Sequence, residues 1–277
     1  MTVLVIGASS QVGHFLLPRL DAIGCEWLGL SRNAPADDPR WVRGHLPEAM
    51  PTLPPLSAIL SSGPLDGLAT WLTQARLEGT PHVIATSSMS AETKRDSDVP
   101  YERELSLRLR DAETRLIAFC ASRGMPWTLF RPTLVYGAGM DQSISPIVRA
   151  AIRRRVFPLP AARGQRQPVH ADDIAAAFVA ALGNARARGK TFPIGGGERL
   201  TAGEMFRRMR RSAGVSTIPA PVPRVVLDLA GALRPALRGA VDRLDSDLIA
   251  DNAELESVLG IHPRPFHPVP ATWQSGA

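Results

Sequence analysis

The chain has 277 residues, 44% of them hydrophobic, with 32 Lys and Arg against 26 Asp and Glu for a formal charge of +6. That size suits one large α/β unit with its own core, and no run approaches the roughly 18 apolar residues of a membrane span. The positive balance does not mark a nucleic-acid binder: only Lys94 and Lys190 are lysines, the arginines are scattered, and the clusters at Arg153–Arg155 and Arg207–Arg211 carry no interleaved aromatics.

Met1 leads straight into an apolar strand with no basic n-region, so no signal or transit peptide is expected. Cys25 and Cys120 sit in apolar segments and read as reduced, buried thiols of a cytoplasmic protein.

The first strand, Val3 to Ile6, runs into Gly7-Ala8-Ser9-Ser10-Gln11-Val12-Gly13 and then a helix with apolar spacing that ends near Gly24. A strand, a glycine turn and a helix start form a dinucleotide-binding corner: Gly7 permits the turn, Gly13 permits close helix packing, and the helix N-terminus faces a pyrophosphate. The middle glycine of such loops is absent, and Ser10 or Gln11 stands there. Cys25 to Leu30 is the second strand, followed by Ser31-Arg32. A carboxylate at this point would accept ribose hydroxyls and an arginine would pair with a 2′-phosphate, so NADP(H) is favoured over NAD(H). The competing reading is that Arg32 is one more surface arginine.

Trp41 to Leu46, Ser57 to Leu60 and His82 to Thr86 are the next strands, with Leu65 to Leu77 helical between the last two. The fourth strand ends at Ser61-Ser62-Gly63, another place for backbone against a cofactor. The alternation predicts a Rossmann-type, doubly wound parallel sheet. Trp127 to Val135 is the sixth strand. His170 reads as a structural histidine, and Asp172-Asp173 as carboxylates at a helix start. Thr201 to Glu204 is a capping box, and Val222 to Leu237 is helical and interrupted by Pro235. His262 and His267 lack a third ligand, so no metal site is expected.

The opening loop, Thr86-Ser87-Ser88, Arg131-Pro132-Thr133-Leu134-Val135-Tyr136-Gly137, Pro168-Val169-His170-Ala171-Asp172-Asp173-Ile174-Ala175 and Phe192-Pro193-Ile194-Gly195-Gly196-Gly197 occur in the order of a known family. With them the chain resembles the short-chain dehydrogenase/reductase superfamily, in its extended or atypical epimerase/dehydratase branch, over about 200 residues. The resemblance implies a single extended unit over 1–277. Residues 1–139 and 167–190 would be mainly the dinucleotide-binding core, and 140–166 and 191–277 mainly a small substrate lobe. It places Ser88 on the substrate oxygen, Arg131-Pro132 near the nicotinamide, and Tyr136 beside it. The cofactor contacts it implies are Gly7, Ser9, Ser10, Gln11, Val12, Gly13, Ser31, Arg32, Ser61, Ser62, Gly63, Thr86, Arg110, Arg131 and Pro132.

The family's chemistry uses a tyrosine followed four residues later by a lysine on one helix face. The chain has two tyrosines, Tyr101 and Tyr136, and neither is followed by a lysine at that spacing. On the expected helix, Ser106 stands in the tyrosine's place and Arg110 in the lysine's. An alcohol titrates too high to serve as the acid, and a guanidinium cannot relay a proton. Tyr101, Tyr136, Glu102 or a water is left as proton donor. The expectation is an NADP(H)-dependent oxidoreductase or epimerase acting on a small polar or nucleotide-linked carbonyl or carbinol substrate. The alternative is a catalytically silent NADP(H)-binding protein, a redox sensor or assembly partner. The resemblance leaves the oligomeric state open, a two-helix homodimer contact being common in the family.

Overall fold

The computed structural model describes residues 2–233 and 244–274. In chain order it opens with β1 (Thr2–Ile6), α1 (Gln11–Ala22), β2 (Trp27–Ser31), β3 (Trp41–Arg43), β4 (Leu56–Ser61) and α2 (Leu65–Gln74). Then come β5 (His82–Thr86), a four-residue α3 (Ser90–Thr93), the long α4 (Pro100–Ser122), β6 (Trp127–Pro132) and the short β7 (Val135–Tyr136). The next elements are α5 (Ser145–Arg154), β8 (Val156–Pro160), β9 (Gln165–Arg166), β10 (Val169–His170), α6 (Ala171–Leu182) and β11 (Lys190–Ile194). The chain closes with β12 (Leu200–Thr201), α7 (Ala202–Arg211), β13 (Ile218–Val222), α8 (Arg224–Leu233) and a last helix over Ala253–Leu259.

Seven strands form one sheet in the order β11-β6-β5-β4-β1-β2-β3, and every neighbouring pair is parallel. The order reverses between β1 and β4, which opens a crevice beyond the carboxyl ends of the strands where an open α/β sheet receives its ligand. Both faces are covered, so the strands are near-continuous apolar runs: Leu4, Val5, Ile59, Leu60, Val83 and Ile84 are fully buried. One core joins α1 and α6 to one face through Leu16, Leu20, Ile174 and Phe178. The other joins α2 and α4 to the opposite face through Leu68, Leu72, Ala112 and Leu116. A third cluster around Val148, Phe157, Met205 and Phe266 packs α5, β8, α7 and the chain after the last helix together.

Several expected boundaries move, each for a local reason. The sixth strand stops at Pro132, because Thr133 turns its hydroxyl onto the Gln167 carbonyl at 2.5 Å and the chain starts a separate two-stranded pairing of β7 with β10. The expected edge at residue 191 falls inside β11, which pairs with β6 and completes the central sheet. Cys120 is buried, and burial pushes its thiol up to about 12, whereas Cys25 is only half-buried because the strand begins two residues later than expected. Tyr101, one of the candidate proton donors, lies in the first turn of α4 and is exposed. The expected helix from Val222 is seen as Arg224–Leu233; Pro235 and Leu237 lie outside the described residues. No helix among the described residues is long and apolar enough to cross a membrane.

Candidate functional site

At the carboxyl end of β1 the chain turns through Gly7, whose φ of +82° is open to glycine without strain. Space is as restrictive as conformation: a Cβ on Gly13 would lie 2.2 Å from the Ala8 carbonyl oxygen. Ser10 caps α1 by accepting the Gly13 N–H at 3.2 Å, and its hydroxyl lies 2.9 Å from that of Ser62 at the end of β4. The side chain that replaces the middle glycine is therefore turned sideways, tying the loop to the neighbouring strand end. Ser9 approaches Ser31 at 3.3 Å in the same way, and Ser31 accepts the Asn33 N–H. Arg32 is exposed just past β2.

This end of the sheet contains polar atoms that no group among the described residues satisfies. Gln11 Oε1, Ser61 Oγ and Ser87 Oγ are buried and unpaired there, and Arg110 Nε on α4 is buried and unpaired as well. Buried polar atoms are nearly always hydrogen-bonded, so such a cluster at strand ends fits a bound polar ligand. The positive-φ glycine, the close packing at Gly13 and these atoms fit a dinucleotide, with its pyrophosphate against the start of α1. Gly63, Thr86 and Pro132 stand at the ends of β4, β5 and β6 along the same edge.

A cleft of about 820 Å³ runs from Gln11 past Thr133-Leu134-Val135 to the lobe at Leu244 to Leu248. Its other wall is the segment from Ser90 to Glu102, including Thr93, Lys94, Ser97 and Val99. Asp96, Asp98, Glu102, Asp141 and Asp247 give it more carboxylates than the two cations Lys94 and Arg166, in a chain of net positive charge.

The residues singled out for catalysis are scattered. Ser88 is half-buried, and its hydroxyl accepts the Ser90 N–H at 3.1 Å; Ser90, two residues on, lines the cleft itself. Ser106 is fully buried and donates to the Ala91 carbonyl at 2.7 Å, fastening α4 to α3. It faces α3, and it does not line the cleft. Tyr136 is 1% exposed, edge-on to His170 and Phe266 in the lobe core. Burial pushes its phenol well above the ordinary range, with Asp173 adding to the effect, so it is a poor proton donor.

Arg131 points its side chain away from the strand end. It donates to Glu113 of α4 at 2.9 Å and to Glu92 of α3 at 2.6 Å, and Glu113 keeps its guanidinium firmly protonated. Leu105 and Leu109 lie two turns and one turn before Glu113 on the same helix face. Neither the face of Ser106 nor that of Leu109 therefore carries a phenol and an ammonium.

His170 caps α6 through Nδ1, which accepts the Asp172 N–H at 3.1 Å; burial, then the Arg264 charge, lowers its pKa. Asp172 binds Arg19 and Arg264, and Asp173 binds Arg264. Burial alone would raise the Asp172 carboxyl, but these two arginines hold it below its ordinary value. These groups fix where α6 starts.

In the cleft the sequence reading missed Ser90, Thr93, Lys94, Ser97, Asp141 and Arg166. One signal was available: Val99-Pro100 places a proline at the first turn of a helix and so puts Glu102 in that turn. Burial would raise the Asp141 carboxyl, but hydrogen bonds from Ser145, Ile144 and Ser143 hold it below its ordinary value, as the anchor for the start of α5. Among the described residues no group of three or more His, Cys, Asp or Glu could hold a metal ion.

Comparisons with known proteins agree with this geometry. Residues 83–195 match the NAD dependent epimerase/dehydratase family. UDP-glucose 4-epimerase of Vibrio cholerae is 27% identical over 184 residues, which are 65% of this chain and 53% of that protein, so the match spans about half the relative's length. MoeE5, solved with UDP-glucuronic acid and NAD, superposes with a TM-score of 0.72 at 20% identity, over 99% of this chain and 98% of that one. UDP-glucuronic acid 4-epimerase of Bacillus cereus, solved with UDP-glucuronic acid and NAD, gives 0.70 at 14% identity, over 99% and 98%. A short-chain dehydrogenase/reductase superfamily protein of Agrobacterium tumefaciens with bound NAD gives 0.69 at 14%, over 96% and 94%.

Proposed function

We propose that the chain is an extended, epimerase-like member of the short-chain dehydrogenases/reductases and acts as an NADP(H)-dependent oxidoreductase or epimerase, a reading supported by the family match over residues 83–195 and by the fold. Its substrate is a small polar or nucleotide-linked molecule with a carbonyl or carbinol carbon. The observation that supports the reading is the set of unpaired buried atoms on Gln11, Ser61 and Ser87 at the carboxyl edge of the sheet, with Gln11, beside the glycine turn, also lining the large cleft. A nicotinamide cofactor supplies hydride exchange with a carbinol or carbonyl carbon. The chain does the rest: the loop from Gly7 to Gly13 seats the pyrophosphate, Ser61 to Gly63 and Thr86 line its path, and Arg110 reaches the nicotinamide ribose.

Arg32 takes the 2′-phosphate, since no carboxylate stands at the end of β2 to hold ribose hydroxyls. Ser88 orients the substrate oxygen at the lip of β5. The smaller lobe, built from residues 140–166 and the chain beyond β11, encloses the substrate.

Fluorescence titration with NADPH and NADH tests the cofactor assignment. NADPH is expected to bind more tightly, and Arg32→Ala to bring the two affinities together; a preference for NADH in the unmodified protein overturns it. An NADPH-consumption screen over carbonyl substrates tests turnover, which Ser88→Ala is expected to abolish while binding persists.

A second reading, a silent NADP(H)-binding protein, is favoured by one observation. The helix that should carry a phenol and an ammonium offers Ser106, already bonded to Ala91, and the hydrocarbon of Leu105 and Leu109. Binding without turnover over a broad panel is its signature.

A further inference from the structure

We propose that Glu102 is the proton-transferring residue of the cleft and does the work for which the chain has no tyrosine and lysine pair; this rests on the oxidoreductase reading above. The cleft wall that begins at Gln11 of the dinucleotide loop also includes Glu102, so the carboxylate and that loop border one cleft. Glu102 is only 4% exposed, although it lines this opening. Carboxylates are almost never buried to that degree unless they are paired, and this one is held from two sides. The Ser97 hydroxyl donates to Oε2 at 2.7 Å, and Lys94 Nζ lies 3.7 Å from Oε1. It also occupies the first turn of α4, where the helix dipole favours a negative charge.

The other carboxylates of the cleft do not combine these properties. Asp141 is saturated by the N–H and hydroxyl groups that start α5. Asp96, Asp98 and Asp247 are exposed. Glu102 is the buried, oriented acid–base group that Ser106 and Tyr136 are not.

The step balances in the direction of alcohol oxidation. The substrate O–H bond breaks and its proton passes to a Glu102 carboxylate oxygen. The carbinol C–H bond breaks with its electron pair, as hydride, to an oxidised nicotinamide dinucleotide. A C=O double bond forms from the electrons left on oxygen. In the reverse direction protonated Glu102 returns the proton to the oxygen as the carbonyl carbon takes hydride. Lys94 and Ser97 act as positioning residues, holding the carboxylate toward the opening and steadying its charge.

The test compares Glu102→Gln, Glu102→Asp and Glu102→Ala with the unmodified protein in NADP⁺-linked oxidation of a panel of secondary alcohols, aldoses and UDP-glucose. NADPH affinity and the thermal midpoint are measured alongside. The expected result is a fall in kcat of roughly 10² to 10⁴ for Glu102→Gln, the size of a general acid–base contribution, with NADPH affinity unchanged. Added formate is expected to restore turnover to Glu102→Ala, which a purely structural role would not produce. If the Gln variant is too unstable to assay, Glu102→Asp decides. A folded Asp variant with lowered kcat and unchanged NADPH affinity supports the assignment.

Unmodified turnover in the Gln or Asp variant overturns the assignment while leaving the oxidoreductase reading intact. NADPH binding by the unmodified protein with no turnover of any panel member overturns it in favour of the silent reading. Failure to bind NADPH or NADH at all overturns the cofactor reading itself.

Discussion

The two ends of the cleft handle polar groups in opposite ways. At the dinucleotide end, Gln11, Ser61 and Ser87 each keep a buried polar atom with no partner among the described residues. At the α4 end most buried polar groups are engaged, Arg110 Nε excepted: Ser97 and Lys94 approach Glu102, Ser106 binds Ala91, and Asp141 receives the start of α5. Unsatisfied buried polar atoms cost free energy until a ligand completes them, whereas a satisfied network holds its own geometry with or without one. Unpaired polar atoms and a self-contained polar network thus lie in separate parts of this fold.

The comparison can be broken from either side. The largest expected effect is from Arg131→Met, which leaves Glu113, with a side chain 6% exposed, without its cation. Breaking a buried pair in this way costs about 3–5 kcal/mol, read from the denaturant midpoint. Next is Gly13→Val, whose first added carbon already falls 2.2 Å from the Ala8 oxygen. A cost of up to about 3 kcal/mol with loss of NADPH binding is expected, and a variant that still binds NADPH with native affinity would remove the loop from the cofactor site.

A pH experiment separates the core from both ends. His82 is buried against Thr128, and burial, then the Arg188 charge, lowers its pKa from 6.5 to about 4. The folded state favours the neutral ring, so the stability this provides is complete above pH 6.5 and is lost as the pH falls toward 4. His82→Gln should flatten that part of a stability-against-pH curve and leave NADPH affinity unchanged. The smallest effect is Ser10→Ala, which removes the α1 cap and the Ser62 contact at about 1 kcal/mol. It should also weaken NADPH binding more than Ser106→Ala, which acts at the α4 end, and titration of both variants sharpens the contrast.

Much of this was legible in the residues themselves. Strand and helix alternation, the turn from Gly7 to Gly13 and the cap at Thr201 are local patterns, set by backbone sterics and by hydrogen bonds between residues a few positions apart. His170 as a structural histidine follows from its place just before a helix that starts with two carboxylates. The surroundings of the α4 helix were less legible. Its apolar and polar residues mark a helix, but the partner of each face comes from elsewhere: Ala91 for Ser106, Arg131 for Glu113, Ser97 and Lys94 for Glu102.

By sequence alone, this protein is a parallel α/β chain with a dinucleotide corner and no tyrosine four residues before a lysine. Those properties follow from composition and short-range spacing, which no packing arrangement can alter. Only the tertiary structure decided that Tyr136 and Ser106 are enclosed while Glu102 opens on the cleft. A side chain's solvation and partners depend on elements brought together across the chain, and a helix face presents the same residues whether it meets a sheet, a neighbouring helix or a ligand.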